Sequence, residues 1–336
     1  MSSDATTEAA ASISAKEAAP LATLFALPKA FHGHVGTIQR NAVSSWAALG
    51  PRVEPLLFGD DEGTAEAAAE FGLTHHPDIA RNEKGTPLLD DLFRKAHQRG
   101  RGKYLVYVNA DIALFDDFVE TLVALDELMQ EPFLAIGRRT DVDVEIPLDC
   151  RRQEEREDLI SIAKKTGSLA PAVCKDYFVF PRGPYEEIPA FAIGRANWDN
   201  WVVASAHERE LPVIDITRRT LAVHHNHDYA HLSGGRKEAY VGGTEAESNR
   251  RLAGGRNLAV GCAANYVLGP RGLRKKGVGW RYATFVADLP RFSGLLWNIW
   301  FGSADSGKAP ARVAAGSVPS EAAAVAASPA ESASHR

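Results

Sequence analysis

Asn109-Ala110-Asp111 stands where an apolar run, Tyr104-Leu105-Val106-Tyr107-Val108, turns abruptly polar. Side chains two apart on an extended backbone point the same way, so Asn109 and Asp111 can both reach one cation or one substrate. Hard oxygen donors of this kind suit Mg²⁺ or Mn²⁺, which one or two carboxylates hold together with the phosphates of a substrate. The plainer duty of Asp111 is to cap a helix that starts near Leu114.

Two later clusters carry further chemistry. His224-His225-Asn226-His227-Asp228-Tyr229, with His231 beyond, is the densest polar group in the chain. If this stretch is extended, His225 and His227 share a face and offer imidazole to Mn²⁺, Fe²⁺ or Zn²⁺; the alternative is a solvated loop. In Trp198-Asp199-Asn200-Trp201, aromatic faces can stack on sugar rings or bases while the carboxylate orients or deprotonates a hydroxyl. The alternative is an N-capping Asp199 between core tryptophans.

Smaller signals lie nearer the N-terminus. In the loop Pro28–Gly36, Gly33 and Gly36 let backbone approach a ligand, and Arg40, one helical turn on, can reach a phosphate. Asp60 follows an apolar run and can accept hydrogen bonds from a base or ribose, or cap the helix predicted near Glu62. Arg138 and Arg139 follow another apolar run, where one can grip diphosphate oxygens and one can pair with Asp141 or Asp143.

Strand and helix patterns alternate around these residues. The spacing predicts strands over Leu21–Leu27, Val53–Phe58, Lys103–Asn109 and Phe133–Gly137, with a short one near Leu73. Helices are predicted over Gly36–Leu49, Glu62–Phe71, Thr86–Arg99 and Phe115–Met129. Such βαβ repetition implies an α/β fold with an open, mostly parallel sheet and helices on both faces. Ligands then bind beyond the carboxyl ends of the strands where strand order reverses, which brings Pro28–Gly36 and Asn109–Asp111 to one cleft. From about 140 onward the pattern is less regular. Arg138–Asp149 reads as a charged, strand-poor connection and Arg151–Lys165 as a helix. Strands follow at Tyr177–Phe180, Val213–Ile216 and Leu221–His225, with a helix over Trp198–Glu208.

Arg81-Asn82-Glu83-Lys84-Gly85, then a helix, then Gly102 to Asp111, resembles the nucleotide-binding half of GT-A-fold glycosyltransferases, of family-2-like type, over about residues 21–230. The resemblance implies a nucleotide-sugar donor, cradled by Pro28, Gly33, Gly36 and Arg40 and contacted by Asp60, Asn82, Asn109 and Arg138. It implies Mn²⁺ or Mg²⁺ on Asp111, completed by His225 or His227, and Asp199 as general base toward an acceptor flanked by Trp198 and Trp201. Asn109 departs from the family's Asp-x-Asp pattern by replacing its first acid. The implied division is 20–140 for nucleotide and 141–301 for acceptor and metal, within one domain.

Composition bounds the partners. With 45% hydrophobic and 24% charged residues in 336, the chain can bury a full core. A net charge of -5 offers no general attraction for nucleic acid. Cys150, Cys174 and Cys262 are too scattered for a disulfide framework, which suits a cytoplasmic setting. Residues 1–19 and 302–336 are Ala/Ser/Pro-rich and predicted to be disordered tails. Within 271–301, Arg271, Arg274, Lys275, Lys276 and Arg281 precede an aromatic run that could rest on a membrane bearing a lipid-linked acceptor, or pack on the domain. A glycan or small-molecule acceptor is equally compatible. Two further functions compete: a metal-dependent hydrolase using His225, His227 and Asp228, and a non-catalytic sugar- or nucleotide-binding module.

Overall fold

The computed structural model describes residues 19–226, 243–254 and 264–277. Its centre is the strand β4 (Tyr104–Val108), whose alternate side chains feed two separate cores. Tyr104, Val106 and Val108 face one core, and Leu105 and Tyr107 the other. β1 (Ala22–Ala26) pairs with it in parallel and is equally buried, which is why both read as unbroken apolar runs.

A nine-stranded sheet grows from this pair. On one side lie β2 (Val53–Phe58) and β3 (Thr74–His76), parallel to β1. On the other side β9 (Tyr177–Pro181) runs antiparallel between β4 and β6 (Leu134–Ile136). β10 (Val213–Asp215), β12 (Tyr266–Gly269) and the antiparallel edge strand β13 (Gly272–Lys275) complete it. The order β13-β12-β10-β6-β9-β4-β1-β2-β3 reverses direction between β1 and β4, so the expected switch point is present.

Helices cover both faces. α1 (Gly33–Ala47), α2 (Thr64–Phe71) and α4 (Asp116–Leu128) supply Trp46, Phe71 and Phe118 to the first core. α3 (Leu89–Arg99) and α6 (Trp198–Glu208) supply Phe93, Trp198 and Val202 to the second. No described helix is long and apolar enough to cross a membrane.

A second sheet, β5-β11-β7-β8, was only partly legible. It joins β5 (Ile112–Ala113), β11 (Ala222–His225), β7 (Arg139–Val142) and β8 (Ser168–Leu169), with α5 (Gln153–Thr166) packed against it. The expectation of a strand-poor stretch over Arg138–Asp149 is corrected by β7. Arg139 and Asp141 lie on one face of that strand and pair with each other, so charge disguised the strand. α7 (Thr244–Leu252) is a further element without a sequence-based expectation. His227, Asp228, the predicted tails beyond Ala19 and the aromatic run of 289–301 lie outside the described residues. Of the basic residues before that run, Lys276 is half-buried and pairs with Asp215 at 2.8 Å.

Candidate active site

Asp111 sits where the chain leaves the large sheet at β4 and enters the small one at β5. α1 fixes the segment just beyond it: the Trp46 indole donates to the Ile112 carbonyl at 2.9 Å, and the Ser45 hydroxyl accepts from the Leu114 amide at 3.1 Å. Capping is not its duty, because α4 begins only at Asp116, behind Phe115.

A chain of polar contacts leads from Asn109 to Asp111 by way of the second half. The Tyr107 hydroxyl donates to Asn109 Oδ1 at 2.8 Å, and Asn109 Nδ2 donates to Asp176 Oδ1 at 2.9 Å. Arg139 donates to the same Asp176 oxygen and, through Nε, to Asp141 Oδ1, both at 2.8 Å. His224 Nδ1 lies 2.9 Å from that Asp141 oxygen, and its Nε2 faces Asp111 Oδ2 at 3.7 Å. Burial alone would raise the Asp141 carboxyl, but the His224 hydrogen bond and the Arg139 charge outweigh it and hold its pKa below the ordinary value. His224 thus stands between two carboxylates, with Nδ1 toward Asp141 and Nε2 toward Asp111.

The opposite wall comes from α6. Asp199 is the second residue of this helix, behind Asn197, whose φ of 83° marks the left-handed turn into it. The helix N-terminus favours an anion there, yet burial pushes the Asp199 carboxyl up, aided by Asp176 and opposed by Lys175. The Tyr107 phenol feels Asp111, Asp176 and Asp199 together, so the three carboxylates ring one neighbourhood. Lys175 is itself buried and donates to Asn200 Oδ1 at 3.0 Å and to the Val173 carbonyl at 2.9 Å. From the β1 side, Lys29 completes the rim, its charge coupled to Asp111 and Arg195.

Several residues expected at the site are engaged elsewhere. Arg40 pairs with Glu70 and covers the Phe31 ring, turned away from the cleft. Gly36 is required by packing: a Cβ there would sit 2.5 Å from the Phe31 carbonyl carbon and oxygen. Gly33 opens α1 with φ of +49°, and Pro28 is buried at the end of β1. Asp60 pairs with Arg81 at 2.6 Å on the rim beyond β2, and Gly63, not Asp60, precedes α2. Asn82 closes its own turn through the Lys84 and Thr86 amides and donates to Glu245 of α7 at 2.7 Å. Arg138 donates to the Ala170 carbonyl at 2.6 Å, leaving Arg139 as the arginine of the network. Trp198 is a core residue, edge-on to Tyr107 at 5.0 Å, which corrects the expectation of a free stacking face; Trp201 is half-buried beside Phe191.

The histidine expectation is corrected by strand parity. In β11, His224 points to Asp111 and His225 to the other side, fully buried with Nε2 3.4 Å from Asn41 Nδ2. Burial, reinforced by His224, outweighs a hydrogen bond to the Asp111 backbone and the Asp111 charge and lowers the His225 pKa to about 4, so it is neutral. Sequence reasoning named Asp141 only as a partner for Arg138 or Arg139, a pairing that Arg139 makes, and missed Asp176, Lys175 and Lys29, whose only signal was their nearness to strand ends.

The donors suit a substrate-dependent cation rather than a closed metal centre. Among the described residues no three His, Cys, Asp or Glu side chains converge on one ion. The 3.7 Å between His224 Nε2 and Asp111 Oδ2 is too long for a hydrogen bond. These two residues would hold a divalent cation only together with ligands from a substrate such as phosphate.

Fold and site together define an open α/β protein with acids and an imidazole gathered at the switch point of its sheet. No family profile and no curated protein matches the chain. Among solved structures it is similar to glucosyl-3-phosphoglycerate synthase from Mycobacterium tuberculosis in complex with phosphoglyceric acid. There the identity is 13% over 69% of this chain and 80% of that one, with a TM-score of 0.43. The same enzyme with Mn²⁺, uridine diphosphate and phosphoglyceric acid gives 14% identity over 63% and 73% and a TM-score of 0.40. S. aureus TarS 1–349 gives 12% identity and a TM-score of 0.30, and the match spans only 38% of each chain.

Proposed function

We propose that this protein is a glycosyltransferase that moves a sugar from a nucleoside-diphosphate donor to an acceptor hydroxyl. The observation that carries the reading is the facing of Asp111 and His224 across the end of β4, at the switch point where open α/β sheets take their ligands. In this reading Asp111 and His224 would hold Mn²⁺ or Mg²⁺ with the donor diphosphate. A cation there supplies charge neutralisation for the leaving group. Asp141 keeps the imidazole in the tautomer that offers Nε2, and Arg139 holds Asp141.

Asp199 takes the proton of the acceptor hydroxyl. The acceptor oxygen bonds the anomeric carbon, and the electron pair of the broken carbon–oxygen bond leaves with the diphosphate. The raised pKa of Asp199 makes its carboxylate a stronger base than an ordinary aspartate.

Calorimetry of UDP and GDP binding, with and without Mn²⁺, tests the reading. Wild type binds one of them in a Mn²⁺-dependent manner, and Asp111→Ala abolishes that dependence. Asp199→Asn keeps binding but loses transfer by about two orders of magnitude or more. No affinity for either nucleotide, with or without the metal, would exclude the proposal.

A further inference from the structure

The cations around the cleft are nearly all spent on the protein itself. Arg139 serves Asp141 and Asp176, Arg195 is tied to Glu245 at 2.7 Å, and Arg81 to Asp60 and Asp61. Lys175 is buried on Asn200 and the Val173 carbonyl. Lys29 differs. Among the described residues no carboxylate stands within ion-pairing distance of its ammonium, and the residue is solvent-exposed although protein surrounds much of its side chain.

Its backbone, in contrast, is fixed. The Lys29 amide donates to Gln39 Oε1 and the Gln39 amide donates back to the Lys29 carbonyl, both at 2.8 Å, with Gln39 buried in α1. This two-point clamp holds residue 29 just past the end of β1, beside the end of β4, where ordering it costs a ligand little. The surrounding protein lowers its pKa, with the Asp111 charge opposing and that of Arg195 adding.

We infer that Lys29 binds the diphosphate of the donor, its ammonium meeting the phosphate oxygens and taking up the charge they gain as the sugar leaves. The inference rests on the glycosyltransferase reading for the identity of the ligand. Its own ground is the clamped, exposed, unpaired cation at the switch point. Lys29 then meets the diphosphate directly from β1, while Asp111 would act on it from β4 only through a divalent cation, which reconciles an anion site with the acids around it.

The test is calorimetry of the full chain, with Mg²⁺ throughout, on wild type, Lys29→Met and Lys29→Gln, using UDP, GDP, uridine and inorganic pyrophosphate. The clamp uses only backbone atoms of residue 29, so both variants are expected to unfold at the wild-type temperature, and the second covers the first should it misfold. Both variants are expected to lose affinity for the bound nucleoside diphosphate by about 10-fold or more, and for pyrophosphate likewise, with uridine unchanged. Nucleoside-diphosphate affinity equal to wild type in either folded variant overturns the role of Lys29 and leaves the glycosyltransferase reading standing. Pyrophosphate binding that depends on Lys29, without any nucleoside-diphosphate binding, supports the anion site and overturns that reading. Wild type that binds neither overturns both.

Discussion

At the scale of single residues, Asn109 carries the clearest lesson. It occupies the first position of the pattern that the sequence resembles, and an amide there looks like a lost ligand. Its partners give a different account: its oxygen accepts from Tyr107 and its nitrogen donates to Asp176. An acid at 109 would set two carboxylates against each other at hydrogen-bond distance inside the protein, where like charges are expensive. Asn109→Asp is therefore expected to cost about 2 kcal/mol of stability, read as a lower urea midpoint. Adding Asp176→Asn restores one amide to the pair and should recover most of the loss. Unfolding of the single variant at the wild-type midpoint would show that the contact is unimportant. The sequence displayed Asp111 because an acid after five buried apolar residues is conspicuous. It hid Asp176, which lies 67 positions from Asn109 and meets it only through antiparallel pairing of β9 with β4.

Among the elements, β11 decides the site by its parity. The sequence marked a histidine cluster after an apolar approach, and the strand is there, but which imidazole faces Asp111 depends on register against β5 and β7. Register is a tertiary property, so His224 could not be preferred over His225 beforehand. The two histidines should separate experimentally. His224→Ala is expected to weaken Mn²⁺-dependent nucleotide binding by about 10-fold or more with little change in stability, consistent with the cost of losing a ligand or its orienting partner. His225→Ala should leave binding near wild type and lose about 2 kcal/mol, because it empties a buried site next to Asn41. Equal effects of both on binding would refute the parity assignment. β7 escaped notice for a related reason: alternation of Arg139 and Asp141 with Thr140 and Val142 is a strand pattern whose polar face is buried in a network instead of in water.

For the whole molecule, the large sheet was legible because its parallel strands are local apolar runs separated by helices, each identifiable within a short window. Of the candidate site, Asp111 and Asp199 stood out in the sequence, beside an apolar run and between tryptophans, whereas Asp141, Asp176 and His224 arrive on or beside strands of the second half that are short and partly charged. That assembly carries a pH signature. His225 is neutral in the fold with a pKa near 4, against 6.5 for an ordinary histidine. Between those values the unfolded chain takes up a proton that the folded one refuses. Its contribution is thus complete above about pH 6.5, declines as pH falls, and is lost by about pH 4, a total of about 3 kcal/mol at 1.36 kcal/mol per unit. His76 and His97, also lowered by burial, add the same trend. Asp117 and Asp199, raised chiefly by burial, act oppositely and regain stability as pH falls. A comparison of wild type with His225→Gln by urea unfolding at pH 7.5 and 4.5 cancels those shared contributions. The stability gap between the two proteins should shrink by about 2 to 3 kcal/mol at the lower pH. A gap that stays constant would mean that His225 titrates alike in both states, and that the junction between the sheets is open to water.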